Sequence, residues 1–147
     1  MAGIEDVRRL VGADRGLAVV TTQRADGTMQ ASVVNAGVLA DPVDGRDVVA
    51  FVARGDALKL RHLRARPDAT VVFRAGWQWI AAEGTATIIG PDDPRDGFHP
   101  AAIPGVLRHV FVAAGGIHDD WDEFDRVMAA ERRAAVLVTP ARIYGNG

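Results

Sequence analysis

Residues 17–53, "LAVVTTQRADGTMQASVVNAGVLADPVDGRDVVAFVA", constrain the fold more than any other stretch of the chain. Three β-rich runs, Leu17–Thr22, Thr28–Leu39 and Asp47–Ala53, are separated by "ADG" and "DPVDG". Both are turn sequences, and connections this short force neighbouring strands to run antiparallel. Ahead of them, Ile4, Val7, Leu10 and Val11 recur at helical spacing and Gly12 is a stop, which predicts a short amphipathic helix. Leu58, Leu60 and Leu63 predict a second helix over Asp56–Arg66, ended by Pro67. "ATVVFRA" and "WQWIAAEGTATIIG" read as two more strands joined at Gly76, and "PDDPRDGFHPAAIPG" as one long irregular stretch. Helices near Pro104–Ala113 and Asp119–Arg132 follow, then strands at Ala134–Val138 and Arg142–Tyr144. Six or seven antiparallel strands with a few helices make a mainly β, α+β protein: a small, partly open barrel, one domain over residues 1–147.

Composition narrows the chemistry. Net charge is −2 with acids and bases interspersed, so no electrostatic footprint for nucleic acid or a membrane surface is present. No apolar run reaches transmembrane length and "MAGIEDVRRLVG" lacks a signal-peptide core, so a cytoplasmic location is expected. Cysteine is absent, which removes disulfides and thiolate nucleophiles. His62, His99, His109 and His118 have no ligand spacing, and no metal site is expected. Ser32, the single serine, lies in a strand and not in a nucleophile elbow. The glycine-rich dinucleotide and P-loop motifs are missing too. A chain so poor in acid–base groups, if an enzyme, leaves the chemistry to a cofactor.

What remains is a set of scarce polar groups on apolar strands. In "QASVVNAG", alternation places Gln30, Ser32 and Val34 on one face and Ala31, Val33 and Asn35 on the other. "WQW" places Trp77 and Trp79 on a common face, as core, interface or ligand wall. Lys59 is the single lysine among sixteen arginines, in the first turn of the second helix, where backbone N–H groups and the helix dipole favour anions. With Arg54 and Arg61 nearby, it is a candidate phosphate holder; as a compact ammonium it is not interchangeable with arginine.

The order of "LAVVTTQRADGTMQASVVN", "ALKLRHLRARPDATVVF", "GWQWIAAEGTATI" and "GGIHDDWDEFDRVMAAERRAAVLVTPARIYG" resembles the flavin-binding split-barrel family, pyridoxamine phosphate oxidase-like. Within it, the chain is most similar to the actinobacterial branch that uses the deazaflavin coenzyme F-420. The resemblance implies a homodimer of six-stranded split barrels with cofactors between the subunits. Lys59 then matches the residue that contacts the cofactor's phosphate or acidic tail. Ser32, Val33, Val34 and Asn35 match the strand along the ring system, Trp79 an aromatic position near it, and Trp77 a wall contributed by the partner. Relatives carry an arginine or hydroxyl residue two positions before the lysine; here it is Ala57, with Asp56 at the expected N-cap and Arg54 or Arg61 as replacements. The implied function is an F-420-dependent oxidoreductase passing hydride to an unsaturated or carbonyl small molecule. FMN-dependent oxidase or reductase activity and non-catalytic flavin storage are the alternatives. The catalytic proton donor is unassigned and could be water. The acceptor pocket is expected to be lined by loop Pro91–Pro104 and by the partner chain.

Overall fold

The computed structural model describes residues 2–146; Met1 and Gly147 lie outside the described residues. Helix α1 (Ile4–Ala13) leads into strands β1 (Leu17–Gln23), β2 (Met29–Ala40) and β3 (Asp47–Ala53). Helix α2 (Leu58–Ala65) precedes β4 (Asp68–Ala75) and β5 (Gln78–Ile89); α3 (Ile103–Ala113) and α4 (Trp121–Ala130) precede β6 (Ala134–Gly145). All strand pairs are antiparallel and the sheet closes in the order β1-β2-β3-β6-β5-β4.

Alternation along the strands builds two apolar layers. Val20, Val49, Phe51, Val71, Phe73, Ile80 and Val136 point into the barrel, where α1 adds Val7, Leu10 and Val11 and α2 adds Leu60 and Leu63. The opposite faces of β3 and β6 present Val48, Ala50, Ala135 and Leu137 to α3 and α4, which cover them with Val106, Leu107, Val110 and Phe124. Burying both faces explains why β3 and the first half of β6 read as continuous apolar runs. Arg108 binds α3 to α4: its guanidinium donates to Asp125 at 2.9 Å and lies 5.4 Å from the Trp121 ring centre.

Four boundaries differ from the sequence reading. The two expected last strands are one, because the ladder shifts register between Glu83 and Gly84 opposite Thr139–Arg142. Pro140 cannot donate to a ladder and is accommodated at this bulge. A Cβ at Gly84 would stand 1.9 Å from the Thr139 carbonyl, so only glycine fits opposite it. Helix α2 starts later than expected, with Ala57 as its N-cap; Asp56 makes no cap and instead pairs with Arg54 at 3.5 Å. Helix α4 is shorter, with Asp120 accepting from the Glu123 N–H at 3.1 Å. Trp77 falls in the turn before β5 and not in the strand.

The irregular stretch is pinned by ion pairs. Buried Asp41 accepts from the Val43 N–H and pairs with Arg95 at 3.0 Å, Arg64 holds Asp93 at 2.8 and 2.7 Å, and Arg132 holds Asp92. The end of α3 is seated by glycine: a Cβ on Gly37 would lie 2.3 Å from the Ala113 carbonyl group, and one on Gly16 2.2 Å from the Ala114 oxygen. Among the described residues no helix is long and apolar enough to cross a membrane.

Gly37→Ala should lower stability by about 1–3 kcal/mol, the usual cost of overpacking against backbone that cannot yield. Gly105→Ala, in α3 with open space around it, should raise it by about 0.5–1 kcal/mol through helix propensity. Urea unfolding of the two variants checks both signs.

Candidate functional site

A cavity of about 420 Å³ opens where α3 and α4 leave the barrel wall. Its floor is Asn35 of β2 and Val52 of β3, outward-facing residues set side by side by the Ala36–Phe51 pairing. Its roof is Phe111, Phe124 and Met128, with Gly115 and Gly116 after α3. Phe111 and Phe124 pack at 5.0 Å between ring centres, and Trp121 and His118 complete the aromatic cluster behind them. Gly116 is required here because a Cβ would meet the Phe111 ring at 2.5 Å. The cavity ends at two arginines, Arg15 and Arg133, and no acid, histidine or tyrosine lines it.

Lys59 does not line this cavity, and its link to it is Arg133, whose charge it feels. It is half-buried in the first turn of α2, and among the described residues no carboxylate lies within 4 Å of its ammonium. Burial pushes the Lys59 ammonium below the ordinary lysine range, and the Arg133 guanidinium beside it pushes the same way. Arg133 pairs with Glu131 at 2.8 Å, and Arg54 shares that carboxylate at 3.8 Å while also meeting Asp56. Arg54 is thereby largely engaged. Arg61 lies two residues after Lys59, about 200° around the helix, so it points elsewhere.

The other expected residues divide by strand parity. Gln30 and Ser32 pair with Thr22 and Val20, so their side chains share the barrel-facing side, with Val34 packed against the core. Thr22 is itself tied to His62 at 2.9 Å. Val33 is 67% exposed on the outer face, beside Val19 and two residues from Leu17's partner Asn35. Asn35 donates from Nδ2 to the Arg15 carbonyl at 3.0 Å, and its Oδ1 has no donor among the described residues. Trp77, 95% exposed, and Trp79 border a shallow depression with Val72, Arg74 and Asn146, away from the Asn35 cavity of the same chain. The loop from Pro91 to Pro104 borders a smaller cavity of about 220 Å³ that shares Met128 and Arg133 with the Asn35 cavity, and not the Asn35 cavity itself. Of the lining residues sequence reasoning named Asn35 alone, and missed among others Arg15, Val52, Phe111, Phe124, Met128 and Arg133; the "ERR" before β6 was the one local signal, a basic pair where a strand begins.

The fold has solved counterparts at low identity. A conserved hypothetical protein from Mycobacterium tuberculosis superposes with a TM-score of 0.70 at 17% identity, over 99% of this chain and 84% of its own. A pyridoxamine 5'-phosphate oxidase-related, FMN-binding protein from Nostoc punctiforme gives 0.68 at 12% identity, covering 99% and 84%. A protein described as an F-420 reductase gives 0.63 at 15% identity, covering 98% of both chains. The chain shares its six-stranded barrel fold with these proteins. No protein-family model matches the chain.

The depressed Lys59 pKa makes a stability prediction. Below its folded-state pKa the protein carries a charge that folding disfavours; as pH rises from there toward the ordinary lysine value of about 10.4, that cost disappears. Lys59→Met should therefore be slightly more stable than the wild type at neutral pH, with the difference shrinking as pH rises. Urea unfolding of both proteins across that range checks the sign.

Proposed function

We propose that the cavity and its cations hold a phosphate-bearing flavin, coenzyme F-420 ahead of FMN, and that the chain is an oxidoreductase passing hydride to an unsaturated or carbonyl small molecule. The observation that carries this reading is Lys59: a half-buried cation with no carboxylate within 4 Å among the described residues, under the influence of Arg133, which lines an apolar cavity. A partly buried ammonium without a carboxylate favours an anion beside it. The residues present fit such a group. Asn35 and the Val52 side chain offer a wall, and Asn35 Oδ1 can accept from a ring N–H. Phe111, Phe124 and Met128 keep water from the same space. When bound, the deazaflavin supplies the hydride. With no acid, histidine or tyrosine on these walls, the proton that completes reduction comes from water.

A homodimer belongs to this reading. Leu17, Val19 and Val33 form an exposed apolar strip, 42%, 40% and 67% accessible, on the outer face of β1 and β2. A second copy covering that strip removes apolar surface from water. The FMN alternative has its own support in the likeness to the Nostoc FMN-binding protein.

Titrating F-420 and FMN into the purified protein tests the cofactor: saturable F-420 binding with no FMN retained after dialysis is expected. Lys59→Ala should weaken that binding by about 1.5–3 kcal/mol, the range for a hydrogen bond to a charged group, and less at high salt. Unchanged affinity would remove Lys59 from the site. Light scattering at micromolar protein should give twice the monomer mass. Reduced F-420 with a panel of enones and quinones should turn over; tight binding without turnover would favour storage.

A further inference from the structure

We infer that Arg15 makes the free end of the cavity a carboxylate-reading subsite, so that the acceptor is a flat apolar molecule carrying an anionic group. Two cations border this cavity and they are not equivalent. Arg133, at the β6 side, is held by Glu131 at 2.8 Å and stands beside Lys59, so it belongs to the phosphate end. Arg15 lies across the floor, beyond Asn35, three strand spacings from the β6 side; at about 4.8 Å per spacing the two backbones stand roughly 14 Å apart. Arg133 already holds a carboxylate and Arg15 holds none among the described residues, so an added anion has its open partner at Arg15. Arg15, Arg61 and Arg126 make no side-chain bond among the described residues, and of the three Arg15 alone borders the cavity.

The backbone at Arg15 supports a role for its side chain. It has φ +56°, a left-handed conformation that favours glycine or asparagine over arginine. Surroundings impose it: Asn35 Nδ2 donates to the Arg15 carbonyl at 3.0 Å, the Gly16 N–H donates to Val11, and the Ala36 N–H donates to Gly16. Gly115, at φ +93°, lies against the Arg15 backbone, at a distance where even a Cβ would be in ordinary contact. An uncommon conformation so fully determined, with a long cation instead of the residue the backbone prefers, points to retention of the side chain for binding. A guanidinium recognises a carboxylate through two parallel N–H donors. The floor and roof between the arginines are Val52, Phe111, Phe124 and Met128, which suits a planar apolar body. That this ligand is the hydride acceptor rests on the function proposed above; the subsite itself does not.

The test compares 2-naphthoate with its neutral isostere 2-naphthamide, by calorimetry, with and without saturating F-420 or FMN. The wild type should bind the carboxylate at least about tenfold tighter, and Arg15→Asn should reduce that preference to about twofold or less. Arg15→Lys should keep part of it, and Lys59→Met should leave it intact. Because asparagine suits the left-handed backbone, Arg15→Asn should also melt higher, by about 2–4 °C, which shows that lost selectivity is not lost folding. Equal binding of the two naphthalenes by the wild type, or a preference that survives Arg15→Asn, overturns the proposal. So does a preference abolished by Lys59→Met, since the anion then sits at the phosphate end. If neither flavin binds but the Arg15-dependent preference stands, the cofactor reading fails and the subsite remains.

Discussion

The seat of α3 on bare backbone governs this molecule. At Gly16 and Gly37 the chain leaves out two side chains so that the Ala113–Ala114 peptide can rest against β2 and the turn before β1. From that contact the end of α3 takes its height above the sheet. The double-glycine turn then places Phe111 and, through the Arg108–Asp125 pair, α4. A larger residue at either glycine would lift the helix and open the layer that buries Val48, Ala50 and Leu137. The cavity is thus the space that two close contacts, at Gly37 and at Gly116, hold open between them.

The barrel was legible in the sequence because its strands alternate or run apolar between unmistakable turns. Lys59 was legible because it is unique, and the structure puts it in the helix turn where its position in "RGDALKL" predicted it. The partners of Lys59 were not legible. Arg54 and Arg61 are its neighbours along the chain, but Arg133 is its neighbour in space, through a strand that pairs with β3 eighty residues away. The same holds for the roof. Phe111, Phe124 and Met128 lie on helices whose amphipathic patterns say only that one face is buried, not against what. Gln30 and Ser32 illustrate the reverse case: scarce polar residues whose parity was read properly, yet which turn toward the barrel and not the groove. Trp77 was displaced from its strand by a turn at Gly76 with φ +61°, one residue longer than the spacing suggested.

Charge is distributed with the same economy. Acidic residues are plentiful, and many in the loops are paired with arginine, as Asp41, Asp44, Asp92 and Asp93 are. None faces the cavity. Both charges that line the site are arginines, one of them held by Glu131, although the chain as a whole is slightly negative, and the unpaired one guides anions in from solvent.

Strand β6 closes the cylinder between β3 and β5. Until it is made, β3 and β5 each have one unpaired edge, and the barrel core has a slot where Val136 and Val138 belong. Pairing β6 with β3 joins segments more than eighty residues apart, so the largest loop-closure cost falls on the last step of assembly. A nascent chain lacking this strand is an open sheet with two sticky edges, the form in which such proteins aggregate. The strand that completes the site's positive end is also the one on which escape from misassembly depends.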